Sequence, residues 1–363
     1  MFRLPLILAI ALAAAPAATA PAKLDPKLGR CDMLAADPWD PLRLAPGVPA
    51  DRLDSGRAVE ACRGAVAAAP DEPRLHHQLG RALKAAGRGA DALGSFGRAA
   101  GKGYAPAQHA LAAAALEGRD DAALAAALDG LIAAAEHGYA PACELLAALH
   151  EAGGPVDRDL GAAYAWAERA AEQGSATAQA RMARYYAEGI GVQRDLAQAA
   201  RWNRLAAGQG LAEAQYALAD QLRRGRGVNA NPAVAAHWLG KAAQRGHLPS
   251  QLALGLFHLA GEGGRSDADR AVDWLRRAAE GGSAPAQQVL VALDRAGLDT
   301  DVDRLDLDHW ELTLGEAEDP DALFALGRWF DGRDATDQAR SYLERAVALG
   351  HPAADEELAS LAE

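Results

Sequence analysis

The chain has 363 residues and a formal net charge of −12, and about a quarter of it is alanine. Aromatic residues make up only 5% of it, which favours closely packed helices over a β-sandwich rich in valine, isoleucine and threonine. With 50% hydrophobic and 24% charged residues, it is not a disordered acidic tail. The negative charge, which no run of lysine or arginine offsets, disfavours nucleic-acid binding.

Residues 1–20 have the order of a secretory signal peptide. Arg3 supplies a positive charge, an apolar stretch follows from Leu4 to Ala18, and small residues close the segment at Ala18-Thr19-Ala20. The apolar stretch is too short for a comfortable membrane span, and a buried N-terminal helix is the alternative. We expect export to the periplasm, or as a second choice out of the cell, with no membrane span after signal removal.

Residues 21–52 are expected to form an extended N-terminal segment, because prolines recur in Asp37-Pro38-Trp39-Asp40-Pro41. Cys31 and Cys62 lie about 30 residues apart, and a disulfide between them would stabilise an exported fold by about 3–4 kcal/mol in the chain-entropy model. The alternative is that Cys62 is a small buried helical residue. The state of Cys143 is left open.

A 36-residue repeat is the strongest pattern in the chain. Tryptophan recurs at this interval at Trp166, Trp202, Trp238, Trp274 and Trp310, and glycine at Gly138, Gly174, Gly210, Gly246 and Gly282. Three further columns keep the same phase: the alanine pairs that begin at 170, 206, 242 and 278, the Asp/Asn positions 159, 195, 231, 267 and 303, and the glutamines 179, 215, 251 and 287. A fixed period of this length predicts a solenoid of stacked units.

Each column has a physical role in a helix–turn–helix unit. The Asp/Asn residues precede a helical run and can accept hydrogen bonds from its free N–H groups as N-caps. The tryptophan and the alanine pair share one face of that helix, so we expect the tryptophans to lie in the core. The glycines end the helix in a left-handed conformation, and a second helix leads to a loop such as Gly189-Ile190-Gly191-Val192.

The stretch WAERAAEQGSATAQARMARYYAEGIGVQRD resembles the Sel1-like repeat, a relative of the tetratricopeptide repeat. The likeness is good over residues 138–292 and looser before them, so the repeat region is expected to be 103–292. Residues 53–102 resemble tetratricopeptide helices in PRLHHQLGRALKAAGRGADALGSFGRAA, and 293–363 resemble degenerate repeats and a C-terminal cap. The resemblance implies an all-α solenoid, an α/α superhelix that binds proteins or peptides.

The motifs that could indicate a cofactor have simpler explanations. The Gly-x-Gly loops recur at one position of successive units, follow no predicted strand and lack a P-loop lysine. His76 and His77 are adjacent on a helical segment and point in different directions, and His109, His137 and His150 are scattered. We expect exposed or partly buried imidazoles, with no cofactor and no metal site.

Nucleophilic catalysis is also disfavoured. Cys143 and His150 are about two helical turns apart, too far for direct proton transfer, and no G-x-S-x-G elbow is present. Some cysteine-rich Sel1-type proteins act on β-lactams, but they carry a cysteine pair in each repeat, whereas this chain has 3 cysteines. We therefore predict no catalytic residues.

Positions that differ between units are candidates for binding. Tyr185 and Tyr186 align with Phe257 and His258 two units later, and a changing set at one register is typical of a specific groove. The alternative is that these side chains pack between layers. The hypothesis is a non-enzymatic periplasmic scaffold that holds a protein or peptide in the solenoid groove. A secreted effector that engages a host protein and a β-lactam-acting hydrolase are the alternatives.

Overall fold

The structure, a computed structural model, describes residues 26–314 and 318–361. All regular elements in these ranges are helical, which confirms the all-α prediction. They fall into two compact units, one ending at Gly130 and one beginning at Leu131. The proposed signal peptide lies outside the described residues. Within the described ranges, no helix combines the length and the apolar character needed to cross a membrane.

The helices follow one another with short connections. The described part of the first unit contains α1 (Pro26–Ala35), a 3₁₀ turn (Ala50–Arg52), α2 (Ser55–Ala68), α3 (Pro73–Ala85), α4 (Gly89–Ala100) and α5 (Ala105–Glu117). Helix α6 (Asp121–Glu136) runs across the boundary between the units. The second unit continues with α7 (Ala140–Ala152), α8 (Leu160–Glu172), α9 (Ala176–Glu188), α10 (Leu196–Gly208), α11 (Ala212–Arg224), α12 (Pro232–Ala243), α13 (Leu248–Ala260), α14 (Ala268–Glu280), α15 (Ala284–Arg295), α16 (Arg304–Leu314), α17 (Pro320–Asp331), α18 (Thr336–Ala348) and α19 (Ala354–Ser360).

The N-terminal segment is helical at its start, which corrects the expectation that 21–52 is extended. Leu28, Cys31 and Ala35 lie on one face of α1 and pack into the core that α2, α3 and α4 form, and this apolar spacing stabilises a helix. Cys31 and Cys62 are joined by a disulfide, with their Cα atoms 4.7 Å apart. The bridge therefore ties α1 to α2.

The proline-rich loop after α1 is held by polar side chains of α3. Arg81 donates hydrogen bonds to the carbonyl oxygens of Ala36 at 2.5 Å and Val48 at 2.6 Å, at the two ends of the loop. His77 Nε2 lies 3.0 Å from Asp37 Oδ2. His76 and His77 are 5% and 2% exposed, so the expectation of exposed or partly buried imidazoles is wrong for this pair. Buried polar rings need hydrogen-bond partners, and here the carbonyl of Pro70 contacts His76 and the carboxylate of Asp37 contacts His77.

The Asp37–His77 contact makes the stability of the first unit depend on pH. Burial alone would raise the pKa of Asp37, but the hydrogen bond and charge of His77, together with the charge of Arg81 and the N–H of Trp39, outweigh burial and hold this pKa well below 3.8. A carboxyl whose pKa is lowered by folding stabilises the fold fully above its unfolded pKa, and this effect is lost progressively as the pH falls from that value through the lower folded pKa. We expect Asp37→Asn to lower the free energy of unfolding by about 1.5–3 kcal/mol at pH 6 and by about 1 kcal/mol less at pH 3, where this carboxyl is largely protonated in the unfolded chain but still ionised in the folded one.

Urea denaturation of the wild type and Asp37→Asn at both pH values checks this prediction. Asp51→Asn is the matched control, because Asp51 is exposed in the nearby 3₁₀ turn. An equal loss of stability at pH 6 and pH 3 for Asp37→Asn would contradict the ionic origin of the contact.

In the second unit, the Asp/Asn column caps the tryptophan-bearing helices, as predicted. The side-chain oxygens of Asp159, Asp195, Asn231 and Asp267 accept hydrogen bonds from backbone N–H groups in the first turns of α8, α10, α12 and α14, at 2.8–3.1 Å. Asp303 accepts one in the same way from Leu305, at 2.8 Å. These bonds satisfy donors that a helix start leaves free.

Small residues close the helix pairs. The alanine pairs of α8, α10, α12 and α14 are at most 2% exposed, which lets neighbouring backbones approach closely. The glycines that follow have positive φ: 90° at Gly174, 94° at Gly210, 83° at Gly246 and 90° at Gly282. This conformation turns the chain directly into the next helix at little cost for glycine.

The tryptophan column lies at the edge of the core, which corrects the expectation that it lies within the core. Trp166, Trp202, Trp238, Trp274 and Trp310 are all only partly buried. In three units a cation three residues later stacks on the indole: Arg169 on Trp166, Lys241 on Trp238 and Arg277 on Trp274, at 4.5–4.7 Å from the ring centroid. An indole suits a position between the core and the solvent, because one of its faces packs on apolar residues and the other attracts a cation.

The glutamine column links each helix pair to the next. The Nε2 atoms of Gln179, Gln215, Gln251 and Gln287 donate to the carbonyl oxygens of Ala171, Ala207, Ala243 and Ala279, at 3.0–3.2 Å. Each carbonyl lies in the last turn of the preceding helix, and it also accepts a hydrogen bond from the N–H of the glycine three residues later, at 2.9–3.0 Å. The 36-residue spacing revealed this column but not its role.

We expect Gln215→Leu to lower the free energy of unfolding by about 0.5–1.5 kcal/mol, because it removes the side-chain bond to the buried carbonyl of Ala207, which keeps its bond from the N–H of Gly210. Gln215→Glu should be similarly destabilising, since an ionised carboxylate cannot donate. The exposed Gln193 is the control, and Gln193→Leu should change stability by less than about 0.5 kcal/mol. Denaturant titrations followed by circular dichroism give these values, and a neutral Gln215→Leu would show that the bond contributes nothing.

Candidate interaction surface

The four side chains proposed for the groove differ in exposure. Tyr185 is fully buried and Phe257 is 5% exposed, and Phe257 belongs to a core cluster with Leu239. Tyr186 and His258 are partly buried. The structure thus places the first residue of each pair between the helices, where packing is its main role.

Tyr185 belongs to a hydrogen-bonded cluster around Glu151. Its hydroxyl donates to Glu151 Oε2 at 2.8 Å, and the guanidinium groups of Arg181 and Arg184 donate to the same carboxylate at 2.8 and 2.5 Å. Burial alone would raise the pKa of Glu151, but the bonds from Arg184 and Tyr185, together with the charges of Arg184 and Arg181, outweigh burial and lower this pKa. Glu151 is therefore ionised and fully engaged, which makes it a structural carboxylate that joins α7 to α9.

Tyr186 and His258 face different surroundings. The hydroxyl of Tyr186 lies 2.9 Å from that of Tyr164 on α8, and Tyr164 donates to Glu168 at 2.7 Å. Burial lowers the pKa of His258, so its ring is neutral at pH 7. The structure does not bring the two proposed pairs into one continuous site.

An open groove that none of these four side chains lines lies between α9 and α11, with α10 at its base. This groove has a volume of about 800 Å³, and we call it the α9–α11 groove. Alanines line much of it, which leaves room for an occupant. Its charged residues are the arginines Arg184, Arg194, Arg224 and Arg226 and the carboxylates Glu188, Glu213 and Asp220.

A charged cluster lies where the last helices fold back onto the repeats. Helix α17 packs on α13, and Asp321 in its first turn accepts hydrogen bonds from Arg223 at 3.0 Å and Arg224 at 3.3 Å on α11. Burial alone would raise the pKa of Asp321, but the hydrogen bond from His351 and the charges of both arginines hold it well below its usual range. The repeat spacing gave no signal for this contact, which joins residues 98 positions apart.

A small cavity of about 110 Å³ lies beneath this cluster, between α11, α13 and α17. Leu239, Leu256 and Phe257 line its apolar part, and Arg223 and Asp321 lie at its polar side. It adjoins the α9–α11 groove, because Tyr216 and Asp220 line both.

The described residues offer little for catalysis. Within 26–314 and 318–361, no three His, Cys, Asp or Glu side chains come together as metal ligands would. Cys143 is buried, burial raises the pKa of its thiol, and its sulfur donates to the carbonyl of Ala135 at 3.5 Å. A buried thiol of raised pKa is a poor nucleophile. His150 contacts the carbonyl of Asp157 at 3.3 Å.

Comparison with known proteins places the repeats in a family. The model of the Sel1 repeat matches residues 140–175, 176–211, 212–247, 248–283 and 320–351. The first four ranges lie within the region 103–292 expected from the sequence, and the fifth covers α17 and α18 in the segment expected to be degenerate. Each of the first four ranges holds one helix pair that ends at the left-handed glycine and the residue after it.

Two solved structures resemble the chain. One is a protective antigen present in uropathogenic Escherichia coli strains that displays an SLR fold, with 27% identity, a TM-score of 0.63, and coverage of 84% of this chain and 67% of that one. The other is a Sel1 repeat protein from Oxalobacter formigenes, with 26% identity, a TM-score of 0.57, and coverage of 67% of this chain and 98% of that one. A comparison with curated proteins found no match.

Proteins with these repeats generally act as scaffolds for protein–protein interactions and are typically not catalytic. The capped helix pairs, the glycine turns and the five matched units agree with that architecture. The chain is a Sel1-repeat protein.

Proposed function

We propose that this protein is an exported, non-enzymatic scaffold of the periplasm that holds a protein or peptide partner on the helices of its second unit. The observation that carries the proposal is the α9–α11 groove, an open space of about 800 Å³ within the matched repeats. A groove of this size can receive several side chains of a partner.

The walls of the groove are pre-ordered. Asp195 caps α10, and Gln179 and Gln215 fix the turns before α9 and α11 by bonding buried carbonyls. A surface that is already ordered loses little entropy on binding, so the ordering cost falls mainly on the partner. This rigidity suits a scaffold.

Two features support export. Residues 1–20 have the order of a signal peptide, and the Cys31–Cys62 disulfide suits an oxidising compartment such as the periplasm. Fractionation of cells by osmotic shock tests the location, with the protein expected in the shock fluid. Recovery from the culture medium would favour the secreted-effector alternative, and recovery from the cytosol would contradict export.

Affinity capture tests the scaffold function. The chain from residue 21 onward is used as bait in an envelope extract with chemical cross-linking, and retained proteins are identified by mass spectrometry. We expect one dominant partner, saturable by free bait, with cross-links to the second unit. Many weak, non-saturable proteins, or none, would contradict the proposal.

A further inference from the structure

Two amide side chains occupy a register that is apolar in the next unit. Asn203 on α10 and Gln221 on α11 are 7% and 8% exposed, and both line the α9–α11 groove. Thirty-six residues later, the same positions hold Leu239 and Phe257, which belong to one core cluster. The repeat fold therefore has no need of polar groups at this register.

The amide pair is only partly satisfied within the chain. Asn203 Nδ2 donates to Gln221 Oε1 at 3.1 Å. Neither Asn203 Oδ1 nor Gln221 Nε2 has a second hydrogen-bond partner in the described part of the chain. Both atoms are reached by solvent in the groove, so a partner that binds there replaces water on them and must supply matching hydrogen bonds. One free acceptor and one free donor side by side match the N–H and C=O groups of a peptide main chain.

Two arginines at the rim of the groove retain unused donors. Arg194 donates through Nε to the carbonyl of Ala187 at 3.0 Å, and it forms no ion pair within the described residues. Arg226 is exposed, and Asp220 lies 3.8 Å from it. That carboxylate is already bonded by Arg224 at 2.6 Å. Both guanidinium groups can therefore bind carboxylates of a partner in bidentate fashion.

The acidic groups of the groove do not cancel this preference. Glu188 is 3.7 Å from Arg184, and Asp220 is bonded by Arg224. Glu213 at the start of α11 is the remaining carboxylate among the groove residues that the structure describes. At one end of the groove, the carboxylate of the chain's own Asp321 accepts hydrogen bonds from Arg223 and Arg224. That contact shows how this surface binds a carboxylate.

We propose that the α9–α11 groove binds an extended acidic segment of a partner protein. Asn203 and Gln221 bind the main chain of the segment, and Arg194 and Arg226 bind its carboxylates. The proposal rests on the scaffold function above and gives the chemical class of the partner.

Calorimetric titration of the full chain with three capped decapeptides of Glu-Ser, Gln-Ser and Lys-Ser repeats tests the proposal. We expect the Glu-Ser peptide to bind about tenfold more tightly than the Gln-Ser peptide, and the Lys-Ser peptide not to bind. The affinity of the Glu-Ser peptide should fall as the salt concentration rises, because charge pairs at an exposed rim are screened.

Two pairs of substitutions separate the two contributions. Asn203→Leu with Gln221→Phe installs the side chains of the next unit, so this variant should melt at the same temperature as the wild type or a higher one. Its affinity for the Glu-Ser and Gln-Ser peptides should fall about tenfold or more. Arg194→Ala with Arg226→Ala should reduce the affinity of the Glu-Ser peptide to that of the Gln-Ser peptide. Arg201→Ala with Arg204→Ala, at exposed positions of α10, is the matched control and should change neither.

Two results would overturn the proposal: no binding of the Glu-Ser peptide at millimolar concentration, or unchanged binding by the Leu/Phe variant. The scaffold function is tested separately, because affinity capture that yields no saturable partner would contradict it. A captured partner that cross-links only outside the α9–α11 groove would keep the scaffold function and contradict the proposed site.

Discussion

Gly191→Ala is expected to lower the free energy of unfolding by roughly 2–5 kcal/mol, the sum of left-handed backbone strain and steric overlap. Gly191 has a φ of 67°, and a Cβ there would overlap the carbonyl oxygen of Leu160 at the start of α8. Backbone atoms of a capped helix cannot move aside as a flexible side chain would. The loop therefore requires glycine for two independent reasons.

Gly189→Ala in the same loop is the matched control. Gly189 also has a positive φ, of 76°, but the nearest atom to its added Cβ would be 3.5 Å away. We expect a loss of about 1–2 kcal/mol from backbone strain alone. Denaturant titration of both variants measures the difference, and equal losses would show that the approach to Leu160 does not restrict the loop.

The second large effect concerns the disulfide of the first unit. The bridge between Cys31 and Cys62 closes a loop of 31 residues, so its loss should lower the free energy of unfolding by about 3–4 kcal/mol in the chain-entropy model. Changing both residues to alanine, or reducing the wild type, should give similar losses. Guanidinium titrations with and without reductant provide the measurement.

Cys143→Ala is the control for this experiment. Cys143 is a buried free cysteine, so its loss removes one packed sulfur atom and should cost about 1 kcal/mol. The response of this variant to reductant should equal that of the wild type. A fold whose stability does not change on reduction would show that the bridge adds nothing to the contacts around it.

The repeat made most of the second unit predictable. An aspartate before a helix and a glycine after it act through local backbone geometry, so their columns marked the helix boundaries that the structure shows at Asp195 and Gly210. The role of the glutamines was missed because their partner is a carbonyl, which has no sequence signature. The tryptophans were placed too deep, because spacing alone does not show how far a helix face is covered.

The candidate site was harder to predict, because it depends on departures from the repeat. Aromatic residues at a variable register suggested a groove at Tyr185 and Phe257, yet both are enclosed. The signal that could have found the α9–α11 groove was the amide pair Asn203 and Gln221 at a register that holds Leu239 and Phe257 one unit later. The packing of α17 on α13 could not have been found, because α17 keeps the phase of the repeat and spacing alone does not show which earlier helix it contacts.

Site-specific photo-cross-linking in living cells tests the central claim most directly. A benzophenone amino acid is introduced at Ala217, which lines the α9–α11 groove, or at Ala233, which is exposed on α12 outside it. The scaffold account predicts one discrete cross-linked protein from Ala217 on irradiation and none from Ala233. Equal cross-linking from both positions, or none from either, would contradict the claim that the groove holds a partner.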